Sequence, residues 1–220
     1  THNYKRALCL GGAKNHLLVL PDADLEMTAS NIVASMSGMS GQRCMAATVM
    51  VTVGNVDHII DRIVEIAKTI VPGKDIGAII THDSKERIID YISRASEEGA
   101  QIRFDGRNNM DKTQKGCYLG PTIIDNVLPE MQVGHEEVFG PVLSIIRCKT
   151  VDEAIAIQNN NKYGNGASVY TSSGSNSKYV QEKLTAGMIG TNIGVPVPRE
   201  PFSFGGMKES KFGAGDITGK

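Results

Sequence analysis

Residues 41–53 read GQRCMAATVMVTV, and the second part of this stretch decides the fold. Its residues 46–53 are apolar and rich in β-branched side chains, a pattern that predicts a buried strand. The segment before it predicts a helix, because Leu25, Ala29, Ile32 and later apolar residues recur at helical spacing. A helix followed by a buried strand is the repeating unit of an α/β fold.

The same alternation extends outward from this stretch in both directions. Strands are predicted at residues 15–20, 46–53, 100–104, 121–127, 141–148, 166–171 and 187–193. Helices are predicted at about 24–38, 59–70, 84–98, 151–160 and 175–185. Asp22 or Asp24 is expected to cap the first helix. Residues 105–120 predict a loop or an exposed hairpin, and the Pro- and Gly-containing stretch from Val195 onward predicts a loop.

Strands that alternate with helices predict a parallel, Rossmann-like sheet covered by helices on both faces. No internal repeat divides the chain, so one domain over residues 1–220 is the simplest interpretation. In such sheets functional groups gather in loops beyond the carboxyl ends of the strands, and we expect the site there. No G-x-G-x-x-G follows a strand, and the near-match GAGDITGK (213–220) has misspaced glycines, so the sequence shows no nucleotide-binding fingerprint of its own.

The composition is that of an ordinary globular protein, with 40% hydrophobic and 21% charged residues. A net charge of -1 argues against a dedicated nucleic-acid or membrane-surface binder, because both need a basic field. No apolar run approaches the roughly 20 residues of a membrane span, and no charged-then-apolar leader opens the chain. The first residue is Thr1, which fits a chain that is processed or cut from a longer one.

Cysteine and histidine usage predicts free thiols and no metal site. The four cysteines, Cys9, Cys44, Cys117 and Cys148, are widely separated and form no C-x-x-C pair, which favours a reducing compartment. The five histidines form no metal-ligand spacing, and we expect them to be surface or cap residues. His135 with its two following glutamates could hold a metal, but a solvated loop is the simpler interpretation.

Cys44 is the candidate nucleophile of the chain. A free cysteine is usually a small buried hydrophobe, and an even cysteine count leaves a disulfide open. The preceding Ser40, Gly41 and Gln42 instead predict a turn, and Gly41 would let a ligand approach the backbone. Arg43 supplies a positive charge next to the thiol, which favours the thiolate.

Five motifs occur in order along the chain: GQRC (41–44), EEVFGPV (136–142), YGNGASVYT (163–171), AGMIGTN (186–192) and PFSFGGMKESKFG (201–213). Together they resemble the aldehyde dehydrogenase superfamily, in which G-Q-x-C carries the catalytic thiol. The resemblance covers the whole chain and implies the catalytic domain of that fold. It also implies an N-terminal NAD-binding region and a C-terminal oligomerisation strand that this sequence does not contain, so the isolated piece is expected to be inactive.

The resemblance implies roles for six residues: Cys44 as the catalytic nucleophile, Arg43, Asn192 and Phe204 in substrate binding, and Glu137 and Phe139 in cofactor binding. Glu137 is expected on the nicotinamide ribose hydroxyls and is preferred to Glu136, although a solvated loop carboxylate is the alternative. Arg43 is expected to hold a substrate carboxylate, with a structural salt bridge as the alternative. Asn192, Phe139 and Phe204 could equally be packing residues.

One departure from the superfamily pattern narrows the function. Hydrolytic members carry E-L-G-G-K before the cysteine, and its glutamate activates water. Here the corresponding stretch is ALCLGGAKNH (7–16), with Cys9 in the glutamate's place and no acidic residue from Thr1 to Pro21. A positioned base contributes about 10²–10⁴-fold, whereas a thiol is already partly ionised at pH 7. Coenzyme A is therefore expected to replace water as the second nucleophile.

GAKNH (12–16) together with GQRCMA (41–46) resembles the CoA-acylating, methylmalonate-semialdehyde branch of the superfamily. This implies NAD-dependent oxidation of methylmalonate or malonate semialdehyde to propionyl-CoA or acetyl-CoA with loss of CO₂, in valine or inositol catabolism. The implied parent enzyme is a homo-oligomer, a dimer or tetramer, in the cytoplasm of a bacterium or the mitochondrial matrix of a eukaryote. A hydrolytic aldehyde dehydrogenase and an inactive scaffold domain remain as alternatives.

Overall fold

The structure is a computed structural model and describes residues 7–109, 115–199 and 201–215. Two sequence predictions fall partly elsewhere. Residues 110–114 of the predicted 105–120 loop and residues 216–220 of the predicted C-terminal loop lie outside the described residues.

The strands, in chain order, are β1 (Cys9–Leu10), β2 (Asn15–Val19), β3 (Ala47–Val53), β4 (Gln101–Phe104), β5 (Thr122–Asp125), β6 (Val142–Cys148), β7 (Tyr163–Gly164), β8 (Gly166–Tyr170), β9 (Met188–Thr191), β10 (Met207–Lys208) and β11 (Lys211–Phe212). Seven of them form one sheet in the order β4-β5-β6-β3-β2-β8-β9. The β3 strand lies at its centre and all seven of its residues are buried. The stretch that predicts the fold is therefore the middle of the sheet.

The helices are α1 (Leu25–Ser37), α2 (Asp57–Lys68), α3 (His82–Glu97), α4 (Gln132–His135), α5 (Val151–Asn160) and α6 (Gly174–Lys183), with short 3₁₀ turns at 38–41 and 106–108. Apolar residues of α1 and α2 pack on one face of the sheet. Those of α3, α5 and α6 pack on the other. The predicted α/β class, with helices on both faces, is confirmed.

Local sequence explains where α1 begins. The Asp24 side chain accepts a hydrogen bond from the backbone N–H of Met27, so Asp24 is the N-cap rather than Asp22. Asp22 instead accepts hydrogen bonds from the Thr171 hydroxyl and the Ser172 N–H beyond β8. Both acidic residues thus fix segments that follow strands at the same edge of the sheet.

The sheet departs from the fully parallel arrangement that the alternation predicts. The edge strand β4 pairs antiparallel with β5, while the other five pairings in the sheet are parallel. The described residues between β4 and β5 form no α-helix, and antiparallel neighbours need no helical crossover. The stretch predicted as a C-terminal loop also forms short ladders, because β11 pairs with β1 and β10 pairs with β7, both antiparallel.

Two of the predicted site residues, Cys44 and Phe139, lie at the amino edge of the sheet together with Lys14 and Asn165. Cys44 precedes β3, Lys14 precedes β2, Phe139 precedes β6 and Asn165 precedes β8. These four strands are parallel to one another, so the segments before them meet at one edge. The expectation of a site beyond the carboxyl ends is wrong for these residues.

Gly41 brings two of these segments into backbone contact. Its φ is +69°, in the left-handed region. A Cβ atom added to Gly41 would lie 2.1 Å from the carbonyl oxygen of Gly140, which directly precedes Pro141 and β6. The turn before Cys44 can therefore approach this segment only because residue 41 has no side chain.

We expect Gly41→Ala to lower the free energy of unfolding by more than about 1 kcal/mol, because alanine is strained at this φ and meets the Gly140 carbonyl. Gly174→Ala is the matched control, since a Cβ there meets nothing within 4 Å at the start of α6. It is expected to be neutral or stabilising by up to about 1 kcal/mol. Urea unfolding of both variants measures the difference; equal stabilities would contradict this account of the turn.

Candidate active site

The turn before Cys44 is held in an unusual conformation. Met39 and Ser40 have φ of 52° and 55°, so three successive residues through Gly41 are left-handed. Non-glycine residues in this region are strained and persist where surrounding contacts fix them. Here the buried Ser40 hydroxyl donates to the carbonyl oxygen of Gly77 at 2.6 Å.

Gln42 ties the same turn to the neighbouring segment 78–80. Its side-chain Nε2 donates to the Ala78 carbonyl at 3.0 Å, and its Oε1 accepts from the Ile80 N–H at 3.0 Å. A carboxamide that donates one hydrogen bond to a backbone and accepts one from it pairs with that backbone as a residue of a neighbouring strand would. The turn that presents Cys44 is therefore anchored on both of its sides.

Two buried amide side chains hold the backbone of Cys44. Asn15 Nδ2 donates to the Cys44 carbonyl at 2.7 Å and to the Ala46 carbonyl at 2.8 Å. Asn165 Nδ2 donates to the Cys44 carbonyl at 2.9 Å. Asn15 Oδ1 in turn accepts from the Gly166 N–H at 3.1 Å. These bonds join the starts of β2, β3 and β8 around the nucleophile candidate.

The Cys44 residue itself is exposed and free of any disulfide. It lines a cavity of about 510 Å³. The residues that line this cavity are Met39, Gln42, Arg43, Cys44, Met45, Phe139, Val197 and Phe204. Four of the six predicted site residues thus share one cavity, which is mostly apolar and has the size of a small-ligand site.

Arg43 lies beside the thiol and is fixed at the end of α1. Its Nη2 donates to the Ser35 carbonyl at 2.9 Å, one of the last carbonyls of that helix. The negative end of a helix dipole suits a cation. Its buried Nε has no hydrogen-bond partner among the described residues. The hydrogen bond to Ser35 therefore gives the guanidinium a structural role at the end of α1.

Glu137 and Glu136 occupy different environments. Glu136 accepts from the Tyr91 hydroxyl at 2.6 Å and from Gln132 Nε2 at 3.0 Å, which keep its pKa below the ordinary value. Glu137 is half-buried, and burial raises the pKa of its carboxyl, while the facing N–H of Ala13 opposes the rise. Glu136 is thus bound by side chains of α3 and α4, whereas Glu137 faces the backbone N–H of Ala13.

Phe139 is strained where it lines the cavity. Its φ is 53°, a left-handed value that bulky side chains rarely adopt, and it is 37% exposed. Strained residues concentrate at functional sites, where the surrounding structure holds them in place. Phe139 and the half-buried Phe204 provide apolar surface in the cavity that Cys44 lines.

Asn192 does not join this cavity. It follows β9 and therefore lies at the carboxyl edge of the sheet, whereas Cys44 lies at the amino edge. Its side chain is fully used on the backbone of Thr171, accepting from the N–H and donating to the carbonyl, both at 3.0 Å. The structure therefore does not bring Asn192 to the cavity of Cys44, and its amide instead closes the turn after β8.

The remaining titratable residues give one further correction. His16 is 1% exposed in β2 rather than at the surface. Its Nδ1 contacts the Lys14 carbonyl, and burial lowers its pKa to about 3, so the imidazole is neutral. Within the described ranges no group of three His, Cys, Asp or Glu side chains could hold a metal ion. All four cysteines are free thiols.

Two positioning residues escaped the sequence analysis. Asn15 is the asparagine of GAKNH (12–16), and Asn165 is that of YGNG (163–166). Both sit directly before or at the start of an apolar strand, where a buried polar side chain must find partners. A polar residue in that position could have indicated a structural role. Its hydrogen-bond partner, 29 or more residues away, could not be predicted from the sequence.

The comparisons with known proteins agree with this geometry. The model of the aldehyde dehydrogenase family matches residues 1–219, so the chain belongs to the aldehyde dehydrogenase family. It is 42% identical over 220 residues to malonate-semialdehyde dehydrogenase 2 of Bacillus thuringiensis, covering 97% of this chain and 45% of that protein.

Two solved structures are similar over nearly all of the chain. The methylmalonate-semialdehyde dehydrogenase of Oceanimonas doudoroffii has a TM-score of 0.92 and 38% identity, covering 96% of this chain and 45% of the other. A Sinorhizobium meliloti structure, assigned to the methylmalonate-semialdehyde dehydrogenases and complexed with NAD, has a TM-score of 0.94 and 36% identity, covering 97% and 45%. The chain has the aldehyde dehydrogenase fold and spans about 45% of the length of these relatives. No described helix is long and apolar enough to cross a membrane.

We expect Asn165→Ala to lower the free energy of unfolding by about 1–3 kcal/mol, because it removes a buried donor from the Cys44 carbonyl. Asn159→Ala is the matched control: its amide also joins two backbone segments, through Lys183 and Thr185, but in a more exposed position. It is expected to cost less than about 1 kcal/mol. Urea unfolding at constant pH compares them, and an equal or larger loss in Asn159→Ala would refute the role given to Asn165.

Proposed function

We propose that this chain carries the nucleophile of an NAD-dependent aldehyde dehydrogenase that acylates coenzyme A. The observation that carries the proposal is the exposed Cys44 thiol, in one cavity with the Arg43 guanidinium and two phenylalanines. A nucleophile, a cation and an apolar wall suit a short aldehyde that bears a carboxylate. Residues 1–220 are proposed to form the catalytic domain of a longer, homo-oligomeric enzyme, inactive as an isolated piece.

The substrate proposed is malonate or methylmalonate semialdehyde. A guanidinium binds a carboxylate through paired, charge-assisted hydrogen bonds. Arg43 lines the cavity, and its guanidinium is held there by one Nη2 hydrogen bond to the Ser35 carbonyl of α1. The names of the relatives favour the same substrate class.

The residues of the segment before β6 fit a nicotinamide cofactor, with Phe139 in the cavity and Glu137 outside its lining. A ribose diol is a pair of donors, and the half-buried Glu137 carboxylate offers a pair of acceptors. Phe139 lies two residues further on with an exposed aromatic surface that suits a planar ring. Glu137 and Phe139 would hold NAD, which supplies the hydride acceptor when bound.

The chain's own chemistry starts at sulfur. The Cys44 thiolate forms a bond to the aldehyde carbon, and the carbonyl oxygen becomes an oxyanion that backbone N–H groups next to Cys44 stabilise. After the hydride has left, an acyl thioester remains on Cys44. The coenzyme A thiol displaces the Cys44 thiolate, and loss of CO₂ from the malonyl-type acyl group yields acetyl-CoA or propionyl-CoA.

The second nucleophile is proposed to be a thiol rather than water. No carboxylate is among the eight residues that line the cavity in the described chain. Cys9, which stands in the place of the superfamily's general base, is an exposed residue of β1 paired to β11. Water attack on a thioester needs a positioned base, and a thiol needs less activation.

The test is NADH formation by the full-length enzyme with malonate semialdehyde, with and without coenzyme A. We expect turnover to require coenzyme A and to be lost in Cys44→Ala. Cys117→Ala is the matched control, a partly buried thiol that does not line the cavity, and it is expected to remain active. Full-rate NADH formation without coenzyme A would indicate the hydrolytic alternative. Activity in Cys44→Ala would reject Cys44 as the nucleophile.

Arg43 gives a second test. In Arg43→Gln we expect kcat/KM for malonate semialdehyde to fall about tenfold to a hundredfold, the loss of a charged hydrogen-bonded pair. The value for propanal, which has the same chain length and no carboxylate, is expected to fall much less. Arg94→Gln, an exposed arginine on α3 paired with Asp90, is the control. An equal loss for both aldehydes would assign Arg43 to structure alone.

A further inference from the structure

Lys14 is a buried lysine that the reaction just described does not use. It is 2% exposed and lies directly before β2, two residues from the neutral His16. Its Nζ donates to the carbonyl oxygen of Val133 in α4 at 2.8 Å. That carbonyl also accepts from the Ser144 hydroxyl at 3.0 Å, so it does not depend on Lys14 alone.

The surroundings of Lys14 suit an uncharged amine. A lysine ammonium has three donors, and a buried charge without partners is costly. Among the described residues Nζ has the single acceptor on Val133. Burial lowers the pKa of Lys14 to about 7, against the opposing attraction of Glu137 and Glu136.

Lys14 is coupled to Glu137 from two sides. The N–H of the preceding residue, Ala13, faces the Glu137 carboxylate, and Lys14 itself influences the charge of that carboxylate. Nζ also holds Val133, which belongs to the helix that leads into Glu136 and Glu137. Protonation of Lys14 therefore changes the electrostatic potential at the Glu137 carboxylate, not the charge that the carboxylate itself carries.

We propose that Lys14 is a positioning residue that sets the cofactor's preferred oxidation state: as a neutral amine it leaves the Glu137 carboxylate uncompensated, which favours the positively charged oxidised nicotinamide. The inference rests on the proposed contact of Glu137 with the nicotinamide ribose. When Lys14 is protonated, the pair Lys14–Glu137 has no net charge, and the oxidised form loses this advantage. The reduced nicotinamide is uncharged and is affected less.

The other charged groups around Lys14 keep their charge or face elsewhere. Arg87 of α3 also acts on Glu137 and is always protonated. Glu136 is bound by Tyr91 of the same helix. Lys208 of β10 acts on the neighbouring His16 and donates to the Asn159 and Asn161 carbonyls.

Two imidazoles need separate attention. His16 stays neutral above about pH 3 and does not change charge in the range of interest. His135 Nε2 lies 3.9 Å from Glu136 Oε1, next to the segment that carries Glu137. His135→Gln is therefore included as a control and is expected to behave like the unmutated enzyme.

The experiment measures the dissociation constants of NAD⁺ and NADH on the full-length enzyme without substrate, from pH 5.5 to 9. NADH fluorescence gives one constant and its displacement by NAD⁺ the other. As pH falls through about 7, Lys14 gains a proton, so the affinity for NAD⁺ relative to NADH is expected to fall about three- to tenfold. A ratio independent of pH in the unmutated enzyme would overturn the inference.

Two substitutions separate the two charge states. Lys14→Met is expected to hold the high-pH ratio at every pH, because the site is permanently neutral and Ser144 still bonds the Val133 carbonyl. Lys14→Arg is expected to hold the low-pH ratio, because arginine stays charged. Lys208→Met, which removes another lysine that bonds backbone carbonyls, is expected to keep the pH dependence. If Lys14→Met keeps it as well, Lys14 is not its source.

Glu137→Gln distinguishes failure of this inference from failure of the proposed function. If both dissociation constants are unchanged in that variant, Glu137 does not contact the cofactor and the proposed function is wrong at this residue. If they rise in Glu137→Gln while Lys14→Met and Lys14→Arg leave the ratio unaltered, only the role of Lys14 is rejected.

Discussion

The carbonyl group of Cys44 is the point at which the sheet and the candidate site are joined. Two amide side chains, Asn15 and Asn165, converge on this one oxygen from the starts of two other strands. Buried amide groups left without partners cost about 1–3 kcal/mol each, so this arrangement resists displacement. The thiol is therefore placed by the register of three parallel strands, not by the flexibility of its own turn.

The amino edge of the sheet collects the chemistry because parallel neighbours begin there together. The segments before β2, β3, β6 and β8 supply the nucleophile, the apolar wall and the buried amides. Each segment enters from a different part of the chain, and each is anchored by backbone carbonyls as much as by side chains. Arg43 is an example of such anchoring, since the Ser35 carbonyl at the end of α1 fixes its guanidinium.

Periodicity predicted the elements well because burial of one helix face or of a whole strand leaves a direct trace in the sequence. The strands around β3 and the five long helices follow from such local patterns, whereas the site positions of Arg43, Phe139 and Phe204 were expected from the resemblance to the superfamily. The direction of β4 and the burial of His16 do not, because both depend on neighbours distant in the chain.

The position of Asn192 away from the cavity and the contacts of Asn15 and Asn165 with Cys44 could not be predicted from the sequence, for the same physical reason. A polar residue beside a strand gives the same sequence pattern whether its side chain faces a ligand or forms a hydrogen bond with the backbone. Asn192 does the second with Thr171, and Asn15 and Asn165 do it with Cys44. Only the fold shows which acceptors lie within reach.

The contact between Gly41 and Gly140 couples two motifs that lie far apart in the sequence. Their backbones approach within a distance that any Cβ on residue 41 would close, so neither segment can move without the other. A substitution of this glycine must also displace the segment before β6, and with it Phe139 and Glu137. One backbone contact therefore constrains both the turn before Cys44 and the segment before β6, although almost half of the chain separates them.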